Sequence, residues 1–451
     1  MKNEKWARAE FATKVGVIAA SVGSAVGLGN IWRFPYEAGT HGGGAFLLFY
    51  VIFIIVLGVP VMTAEFAMGR GTRSNTMGAW RTLSPRGQWH WIGYMGIVAS
   101  LMILSFYSVV AGWTMEYLVQ SAAGTLDLMS MDDYHAHFDE FSTSNWRPLL
   151  WTVVFLAVNL VILIRGVAKG IERVSNILMP VLFVLLVIFC VNSLMMPGAQ
   201  EGLKFLFAPD FSQVSGSVIL GAMGQAFFSL SLGLGCMMTY GSYFSGDTKL
   251  VKSAGVIAGL DTLVAILAGV IIFPAVFTYG GTPAAGPTLV FEVLPNIFHQ
   301  MAGGVIWSTL FFFLLFVASL TSTISMSEIS IAFFVEEKGM KRRNATVLCT
   351  GIALVFGSLC ALSFGVLSDM TLFGMTLFEL FDYVSSNILL PVGGFAISVY
   401  AGWICERKYM ERQLTNDGRL RLAGLPLLFF CLRYVCPIGI LLVFLNVMGA
   451  V

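Results

Sequence analysis

Apolar runs of about 20 residues follow one another along almost the whole chain, separated by short polar or glycine-rich junctions. In hydrocarbon each backbone amide must find its partner within its own segment, and a helix of this length meets that requirement. We therefore expect an all-α integral membrane protein with about eleven transmembrane helices. The expected spans are residues 13–36, 44–69, 91–119, 149–164, 174–194, 216–244, 254–279, 304–335, 346–367, 375–403 and 425–450.

Composition supports a single domain inside the membrane. Hydrophobic residues make up 57% of the 451 residues and charged residues 11%, whereas an average soluble domain has about 25% charged residues. The longest polar stretches, near 120–148 and 404–424, are too short for a separate soluble domain. We therefore expect one transmembrane domain over residues 1–451. The first apolar run continues too far to be the core of a cleavable signal peptide, so it is interpreted as a transmembrane span.

The basic residues indicate the orientation of the chain. If the N-terminus is cytoplasmic, all 26 Lys and Arg residues except Arg33, Arg147 and Lys204 lie on the cytoplasmic side. Because basic residues favour that side of a membrane, the distribution predicts a cytoplasmic N-terminus and, with an odd number of spans, an external C-terminus. The basic loops then act as topology signals, so we expect a lipid bilayer and no nucleic acid as a partner.

Two expected spans are interrupted near their middle. The first contains "GSAVGLGN" (23–30) and the sixth contains "SLSLGLG" (229–235). Glycine at a break lets the backbone leave helical geometry and offer carbonyls and amides to a ligand. Small residues that allow close helix packing are the alternative explanation. Two such clusters, each flanked by hydroxyl or amide side chains, favour a binding site.

The spacing of the two breaks indicates an internal repeat. The sixth span follows the first by five helices, and because five is odd the two halves must run in opposite directions across the membrane. This arrangement is typical of secondary transporters. We expect one five-helix repeat over about residues 11–200, its inverted copy over about 215–405, and an extra eleventh helix at 425–450.

Polar side chains inside the spans suggest a cation site. Asp261, in "GLDTLVAILAG", is the clearest candidate because an ionisable group within a span is functional by default. Asn30, Ser229 and the "SLTSTIS" run at 319–325 add amide and hydroxyl oxygens, the ligand type that Na⁺ prefers. Hydroxyls of that run could instead cap backbone carbonyls. Glu65, near the end of the second span, is expected to reach the cytoplasmic interface.

Cysteine and histidine residues do not indicate a catalytic centre. The seven cysteines lack CxxC spacing and are interpreted as small packing residues. His135 and His137, with nearby aspartates, could form a metal-binding loop, but a solvated external loop is the favoured interpretation. A membrane enzyme needs a nucleophile and base or a metal, and the spans contain no such histidine-based arrangement. We therefore expect that the chain is not an enzyme.

Several collinear segments resemble the signature segments of the neurotransmitter:sodium symporter family, and within it the bacterial leucine transporter. Besides the two broken segments they include "HGGGAF" (41–46), "RGVAKGIERVSNILMP" (165–180) and "LFVASLTSTIS" (315–325). The resemblance covers almost the whole chain. It implies the leucine-transporter fold, an inverted repeat of five and five helices in which helices 1 and 6 are broken.

Matching motif to motif, the resemblance implies two sodium sites. The first would use the substrate carboxylate together with Ala25, Asn30, Ser229 and Asp261. The second would use Gly23, Val26, Ala318, Thr321 and Ser322. Chloride-dependent relatives place an anion near the first site. The Asp261 carboxylate can supply that negative charge, so we expect no chloride requirement.

The resemblance also implies a substrate site and a substrate class. The implied contacts are Ala25, Leu28, Gly29, Ile103, Tyr107, Phe228, Ser231, Leu234, Ser322 and Met326. Monoamine-carrying relatives have Asp at the position of Gly27, so Gly27 leaves room for the carboxylate of an amino acid. The remaining contacts are largely apolar, and a polar substrate would leave unpaired groups there. Leu234 replaces a Phe of the leucine transporter, which predicts a pocket that admits aromatic as well as aliphatic side chains.

Gates and a helix break follow from the same resemblance. Arg33 and Asp382 are similar to an outer pair that closes over the substrate. Inner-gate residues would be Arg8, Phe11, Tyr243 and Glu336. In the fifth span Gly170 precedes Pro180 by ten residues, and because proline removes a helical hydrogen bond we expect local unwinding there.

Taken together, the sequence predicts a sodium-coupled symporter of a bacterial plasma (inner) membrane. It would import hydrophobic L-amino acids by alternating access. An amino-acid sensor or channel without uphill transport is the alternative function, and the oligomeric state stays open.

Overall fold

The computed structural model describes residues 13–85, 87–126, 133–281, 283 and 290–447. Within these residues, nine helices are long and apolar enough to cross a membrane, and one bent helix pair makes a tenth candidate. Span 1 is that pair, helix 1a (Lys14–Ala25) and helix 1b (Gly29–Thr40), bent by 49°. Spans 2 to 5 are Gly44–Thr72, His90–Ala122, Arg147–Ile164 and Lys169–Leu194. Spans 7 to 11 are Leu250–Thr278, Gly304–Lys338, Arg342–Leu362, Leu377–Ile404 and Leu425–Asn446.

The sixth expected span is not one helix. It consists of helix 6a (Gly216–Ser229) and helix 6b (Cys236–Gly241), joined by an irregular segment. Shorter helices lie in the connections, at Thr76–Leu83, Asp133–Thr143, Ala199–Phe207, Val293–His299 and Arg407–Thr415. The all-α membrane fold is confirmed, with spans 1 and 6 broken at the two glycine-containing segments.

The break in span 1 is a short extended segment. Val26 has extended backbone angles (φ −70°, ψ 118°), so helix 1a ends there and helix 1b begins three residues later. The Asn30 side chain accepts a hydrogen bond from the Gly27 amide at 3.0 Å. This contact satisfies one amide that the break removes from helical pairing.

The break in span 6 is tighter and depends on glycine. Gly233 has φ +89°, and an added Cβ would lie 2.2 Å from the Leu390 carbonyl oxygen of span 10. Only glycine fits both the left-handed backbone and this close approach. Ser231 also has a positive φ, 52°, which is uncommon for a residue with a side chain. The broken segment therefore lies directly against the backbone of span 10.

Glu65 of span 2 supports the break in span 6. Its carboxylate is fully buried and accepts hydrogen bonds from the amides of Gly233 at 3.0 Å and Met238 at 3.2 Å. A buried carboxylate needs such partners, and a broken helix has unpaired amides to supply them. The expectation that Glu65 reaches the cytoplasmic interface is therefore wrong.

The broken helices lie in the interior of the helix bundle. Helix 1a packs against spans 5, 7 and 8, and helices 6a and 6b pack against span 2. Span 3 runs along span 8 and brings Tyr107 to the break in span 1. The two breaks and spans 3 and 8 thus enclose one common space.

Candidate functional site

A small cavity lies between the two breaks. Nine of the ten expected substrate contacts line it, namely Ala25, Gly29, Ile103, Tyr107, Phe228, Ser231, Leu234, Ser322 and Met326. The tenth, Leu28, contacts the cavity wall, since its amide donates to the Tyr107 hydroxyl at 2.9 Å. Leu390 of span 10 also lines the cavity and was not predicted. No signal in the surrounding sequence would have identified it.

One end of the cavity is polar. The Leu28 amide and the Tyr107 hydroxyl meet there, at the N-terminus of helix 1b. Unpaired amides and the helix dipole make such an end attractive to anions. Gly27 keeps it open, because an added Cβ would lie 2.4 Å from Ser322 Oγ and 2.7 Å from the Tyr107 hydroxyl.

The rest of the cavity is mainly apolar. Ile103 and Met326 form part of one wall, and Phe228, Leu234 and Leu390 form others. A charged side chain placed among these groups would lose its hydration without gaining a partner. The Ser231 hydroxyl donates to the Ser24 carbonyl at 3.3 Å, so the segment beside the cavity is held by its own hydrogen bonds.

Beside the cavity, Asn30, Ser229 and Asp261 form one hydrogen-bonded cluster. The Asn30 amide nitrogen lies 2.8 Å from Asp261 Oδ1 and 2.9 Å from Ser229 Oγ, and Ser229 Oγ donates to Asp261 Oδ2 at 2.6 Å. All three residues are buried. Tyr50 of span 2 adds a hydroxyl, which donates to Ser229 Oγ at 3.2 Å and was not predicted. This oxygen-rich set, next to Ala25 in the cavity wall, suits Na⁺.

A second group of oxygens lies between helix 1a and span 8. Ser322 Oγ donates to the Val26 carbonyl at 2.9 Å, and Thr321 Oγ1 donates to the Ala318 carbonyl at 3.1 Å. An added Cβ on Gly23 would lie 3.2 Å from the Thr321 Cβ, so the two helices are in close contact. All five residues expected at the second sodium site are therefore neighbours, and their donors are the hydroxyls and carbonyls that suit Na⁺.

The outer-gate residues Arg33 and Asp382 are not paired with each other. The Arg33 guanidinium lies 4.3 Å from the centre of the Phe228 ring and its Nε lies 3.4 Å from Glu37 Oε1. Asp382 Oδ1 instead accepts from Ser386 Oγ at 2.8 Å. Arg33 therefore lies over Phe228, which lines the small cavity, without its expected carboxylate partner.

A larger cavity lies beyond Phe228. Its volume is about 230 Å³, and Arg33 and Glu37 of helix 1b line it together with His41, the residue that follows this helix. Phe228 and Leu390 line both this cavity and the cavity between the two breaks, so the two side chains form the partition between them. A rearrangement of this partition would connect the two spaces.

The structure describes two of the four residues expected at the inner gate, Glu336 and Tyr243. Arg8 and Phe11 lie outside the described residues. Glu336 accepts hydrogen bonds from the Asn75 amide at 2.8 Å and from its side chain at 3.1 Å. Tyr243 donates to Glu328 Oε1 at 2.7 Å.

Glu328 was not predicted, and the structure gives it a clear role in packing. It is fully buried in span 8 and pairs with Arg342 of span 9 at 2.6 Å. The rule that identified Asp261, that an ionisable residue in a span is functional, would also have identified Glu328. It connects Tyr243, two residues after the end of helix 6b, to spans 8 and 9.

Span 5 is helical in this structure, including the region between Gly170 and Pro180. Wider helical turns over Val167–Glu172 lead into a regular helix over Arg173–Leu194. Gly170 packs tightly, since an added Cβ would lie 2.3 Å from the Ile162 carbonyl oxygen.

Glu172 attaches span 5 to helix 1a. Its buried carboxylate accepts from the Thr13 amide at 3.1 Å and from the Thr13 hydroxyl at 2.8 Å. The same hydroxyl caps helix 1a by accepting from the Gly16 amide. The beginning of span 5 is therefore hydrogen-bonded to the beginning of helix 1a.

Comparisons with known proteins agree with this geometry. The model of the sodium:neurotransmitter symporter family matches residues 8–137 and 128–451. An uncharacterized sodium-dependent transporter of Bacillus subtilis, YhdH, is 41% identical over 442 residues, covering 98% of each chain. One of Haemophilus influenzae is 33% identical over 450 residues, covering 97% of this chain and 98% of the relative.

A solved structure shares the fold. The crystal structure of MhsT in complex with L-phenylalanine has a TM-score of 0.90 and 42% sequence identity, and the match covers 98% of this chain and 100% of that one. The fold, the two broken spans and the sequence matches lead to the same assignment. The chain belongs to the sodium:neurotransmitter symporter family, whose members are secondary transporters and not enzymes.

Proposed function

We propose that this chain imports hydrophobic L-amino acids, both aliphatic and aromatic, together with Na⁺ and without a chloride requirement. Sodium-coupled transport of amino acids across a membrane is supported by the family and by the similarity to MhsT. The proposal adds the substrate range, the ions and the direction of transport.

The observation that carries the substrate range is the cavity itself. Its polar end offers the Leu28 amide and the Tyr107 hydroxyl to a carboxylate, and Gly27 leaves that end free. The remaining walls are mainly apolar, with Leu234 and the adaptable Met326 facing the side chain of a substrate. That MhsT binds L-phenylalanine supports an aromatic substrate here.

We infer two sodium ions per substrate. One would be held by Asn30, Ser229 and Asp261 with the Ala25 carbonyl, and the substrate carboxylate would complete this site. Binding of ion and substrate would then favour each other, and this coupling is reciprocal by thermodynamic necessity. The second ion would lie between helix 1a and span 8, where the Ser322 hydroxyl contacts the Val26 carbonyl and the Thr321 hydroxyl contacts the Ala318 carbonyl.

Alternating access requires the two ends of the site to open in turn. Phe228 and Leu390 would open the outer side, and release to the cytoplasm would involve helix 1a and local unwinding of span 5. We infer inverted repeats over about residues 11–200 and 215–405, a cytoplasmic N-terminus and a bacterial plasma membrane, following the distribution of basic residues.

Competition measurements test the substrate range. The full chain would be reconstituted in vesicles with a sodium gradient, and uptake of labelled tryptophan measured with each unlabelled amino acid in excess. We expect inhibition by Leu, Ile, Val, Met, Phe and Tyr, and none by Asp or Lys, because a charged side chain loses hydration in the apolar cavity. Equal inhibition by Lys or Asp would contradict the proposed range.

Replacement of chloride tests the role of Asp261. Because the buried carboxylate supplies negative charge beside the first sodium site, we expect the same sodium-driven uptake when gluconate replaces all chloride. Loss of most uptake in gluconate, with recovery on adding chloride back, would contradict chloride independence.

A further inference from the structure

The end of span 10 and the beginning of span 11 form a seam on which two arginines stack over aromatic rings. The Arg433 guanidinium lies 4.5 Å from the centre of the Trp403 ring, and the Arg407 guanidinium lies 5.1 Å from that of Phe429. Trp403 and Arg407 are four residues apart, as are Phe429 and Arg433. The two segments run in opposite directions, so both guanidinium groups lie along one seam.

Close backbone contact fixes the position of this seam. An added Cβ on Gly402 would lie 2.8 Å from the Leu432 carbonyl oxygen and 2.9 Å from the Arg433 Cα. Trp403 Nε1 donates to the Arg433 carbonyl at 2.7 Å. Both backbones have wide helical turns at the contact, over Tyr400–Ile404 and Cys431–Val435, a feature often found at functional sites. The indole and the guanidinium are thus held in a defined geometry.

The two arginines differ in their charge partners. Arg407 pairs with Glu411 at 2.7 Å, whereas Arg433 forms no ion pair with any carboxylate of the described residues. Arg433 is exposed and lies about 12 Å along the axis of the apolar span 11 from its first residue. A cation on the surface of a span is costly unless an anion accompanies it. Arg433 therefore presents a positive charge that no carboxylate of the described residues neutralises, and this charge is available to an anionic ligand.

The surroundings of Arg433 are typical of a surface that faces the headgroup region of a membrane. Trp403 is 52% exposed and packs edge-on against Tyr434, which also contacts Phe430. Exposed tryptophan and tyrosine side chains concentrate at the level of lipid headgroups. Beyond Tyr434, Ile438 is exposed along the same span and offers apolar surface to an acyl chain.

We propose that this seam binds an anionic phospholipid, whose phosphate pairs with Arg433 and whose acyl chain lies along Tyr434 and Ile438. The planar guanidinium can donate two parallel hydrogen bonds to a phosphate, and stacking on Trp403 orients it. Exposed Lys408 and Arg412 in the neighbouring connection add positive charge. The bound lipid would brace the junction between spans 10 and 11, next to the connection over residues 405–424.

Fluorescence quenching by brominated lipids tests this proposal in the full chain. The chain would be reconstituted in phosphatidylcholine vesicles containing either brominated phosphatidylglycerol or brominated phosphatidylcholine. The fluorescence of Trp403 is obtained by subtracting the fluorescence of a Trp403→Phe variant from that of the native chain. We expect brominated phosphatidylglycerol to quench the fluorescence of Trp403 about fivefold more effectively than brominated phosphatidylcholine. This factor corresponds to about 1 kcal/mol, the contribution of one basic residue to the binding of anionic lipid.

Two variants identify the residue responsible. Arg433→Gln should abolish the selectivity, and Arg421→Gln, which changes an exposed arginine of the same connection, should retain it. Sodium-driven uptake would show that each variant is folded. Equal quenching by both lipids in the native chain, or unchanged selectivity in Arg433→Gln, would overturn the proposal. If neither lipid quenches Trp403, the seam does not contact lipid and the proposal is likewise overturned.

Discussion

At the scale of single residues, Gly27 is the position on which the proposed recognition of an amino acid depends. It lies in the break of span 1, and a side chain there would collide with both Ser322 and Tyr107. The absence of a side chain leaves space at the end of the cavity proposed to bind the substrate carboxylate. It also leaves the position of the Ser322 hydroxyl undisturbed, which is a proposed ligand of the second sodium ion.

Gly27→Ala should weaken substrate binding and uptake together. The added methyl group must displace Ser322 Oγ or the Tyr107 hydroxyl, and overpacking of this kind costs about 1 to 3 kcal/mol, at least about fivefold in affinity. The measurement is sodium-dependent binding of labelled tryptophan. Gly255→Ala in span 7, where nothing lies within 4 Å of an added Cβ, is the matched control and should bind normally. Normal binding by Gly27→Ala would contradict this reading of the site.

His137 should make stability depend on pH. It lies in the connection helix Asp133–Thr143, where burial, reinforced by Arg147, lowers the pKa of its ring from the usual 6.5. Glu140 and Glu116 oppose this shift. Because the unfolded chain then binds the proton more tightly, stability is fully present above pH 6.5 and is lost as the pH falls toward the lower native pKa.

A comparison of melting temperatures checks this dependence. The native chain should lose more thermal stability than His137→Gln as the pH falls from neutral to below 6.5. The variant keeps a polar side chain opposite Gln120, the hydrogen-bond partner of His137 at 2.7 Å, without a titrating group. Parallel melting curves for the two chains over this pH range would show that His137 does not titrate in the transition.

At the scale of helices, the proposed alternating access requires movement of span 5. Pro180 lies inside it and cannot donate a backbone hydrogen bond, and Glu172 at its beginning holds Thr13 of helix 1a. Unwinding between Gly170 and Pro180 would loosen that attachment. Release of helix 1a and opening toward the cytoplasm would then occur together.

Pro180→Ala should slow turnover more than it weakens binding. Alanine restores a helical hydrogen bond and raises the cost of unwinding, while the substrate cavity lies elsewhere. The measurement compares the maximal rate of sodium-driven uptake with the affinity for labelled substrate. Pro274→Ala, in the interior of the helix Leu250–Thr278, serves as control and should leave the rate unchanged. An unchanged rate in Pro180→Ala would remove helix unwinding from the mechanism.

Some features of the helices could be predicted from the sequence and others could not. Apolar runs and glycine clusters are local signals, so the spans and the positions of both breaks could be predicted. Glu65 and Leu390 could not be placed, because their roles depend on which distant backbone lies beside them. The amides that Glu65 satisfies become available only when span 6 breaks against span 2.

At the scale of the whole molecule, the proposed mechanism couples the sodium gradient to the transport of an amino acid. The cavity, the cluster around Asp261 and the oxygens around Thr321 are neighbouring parts of one space enclosed by the broken helices. A substrate carboxylate that completes the first sodium site makes each ligand favour the other. Transport then draws on the sodium gradient, provided that the partition at Phe228 and the cytoplasmic side never open together.

Uphill accumulation of substrate distinguishes symport from binding alone. Vesicles containing the full chain would be given labelled tryptophan with sodium outside, in matched experiments with potassium instead. With sodium we expect the internal concentration of tryptophan to rise above the external one, and collapse of the sodium gradient to release the excess. Sodium-dependent binding without accumulation would contradict symport and favour an amino-acid sensor.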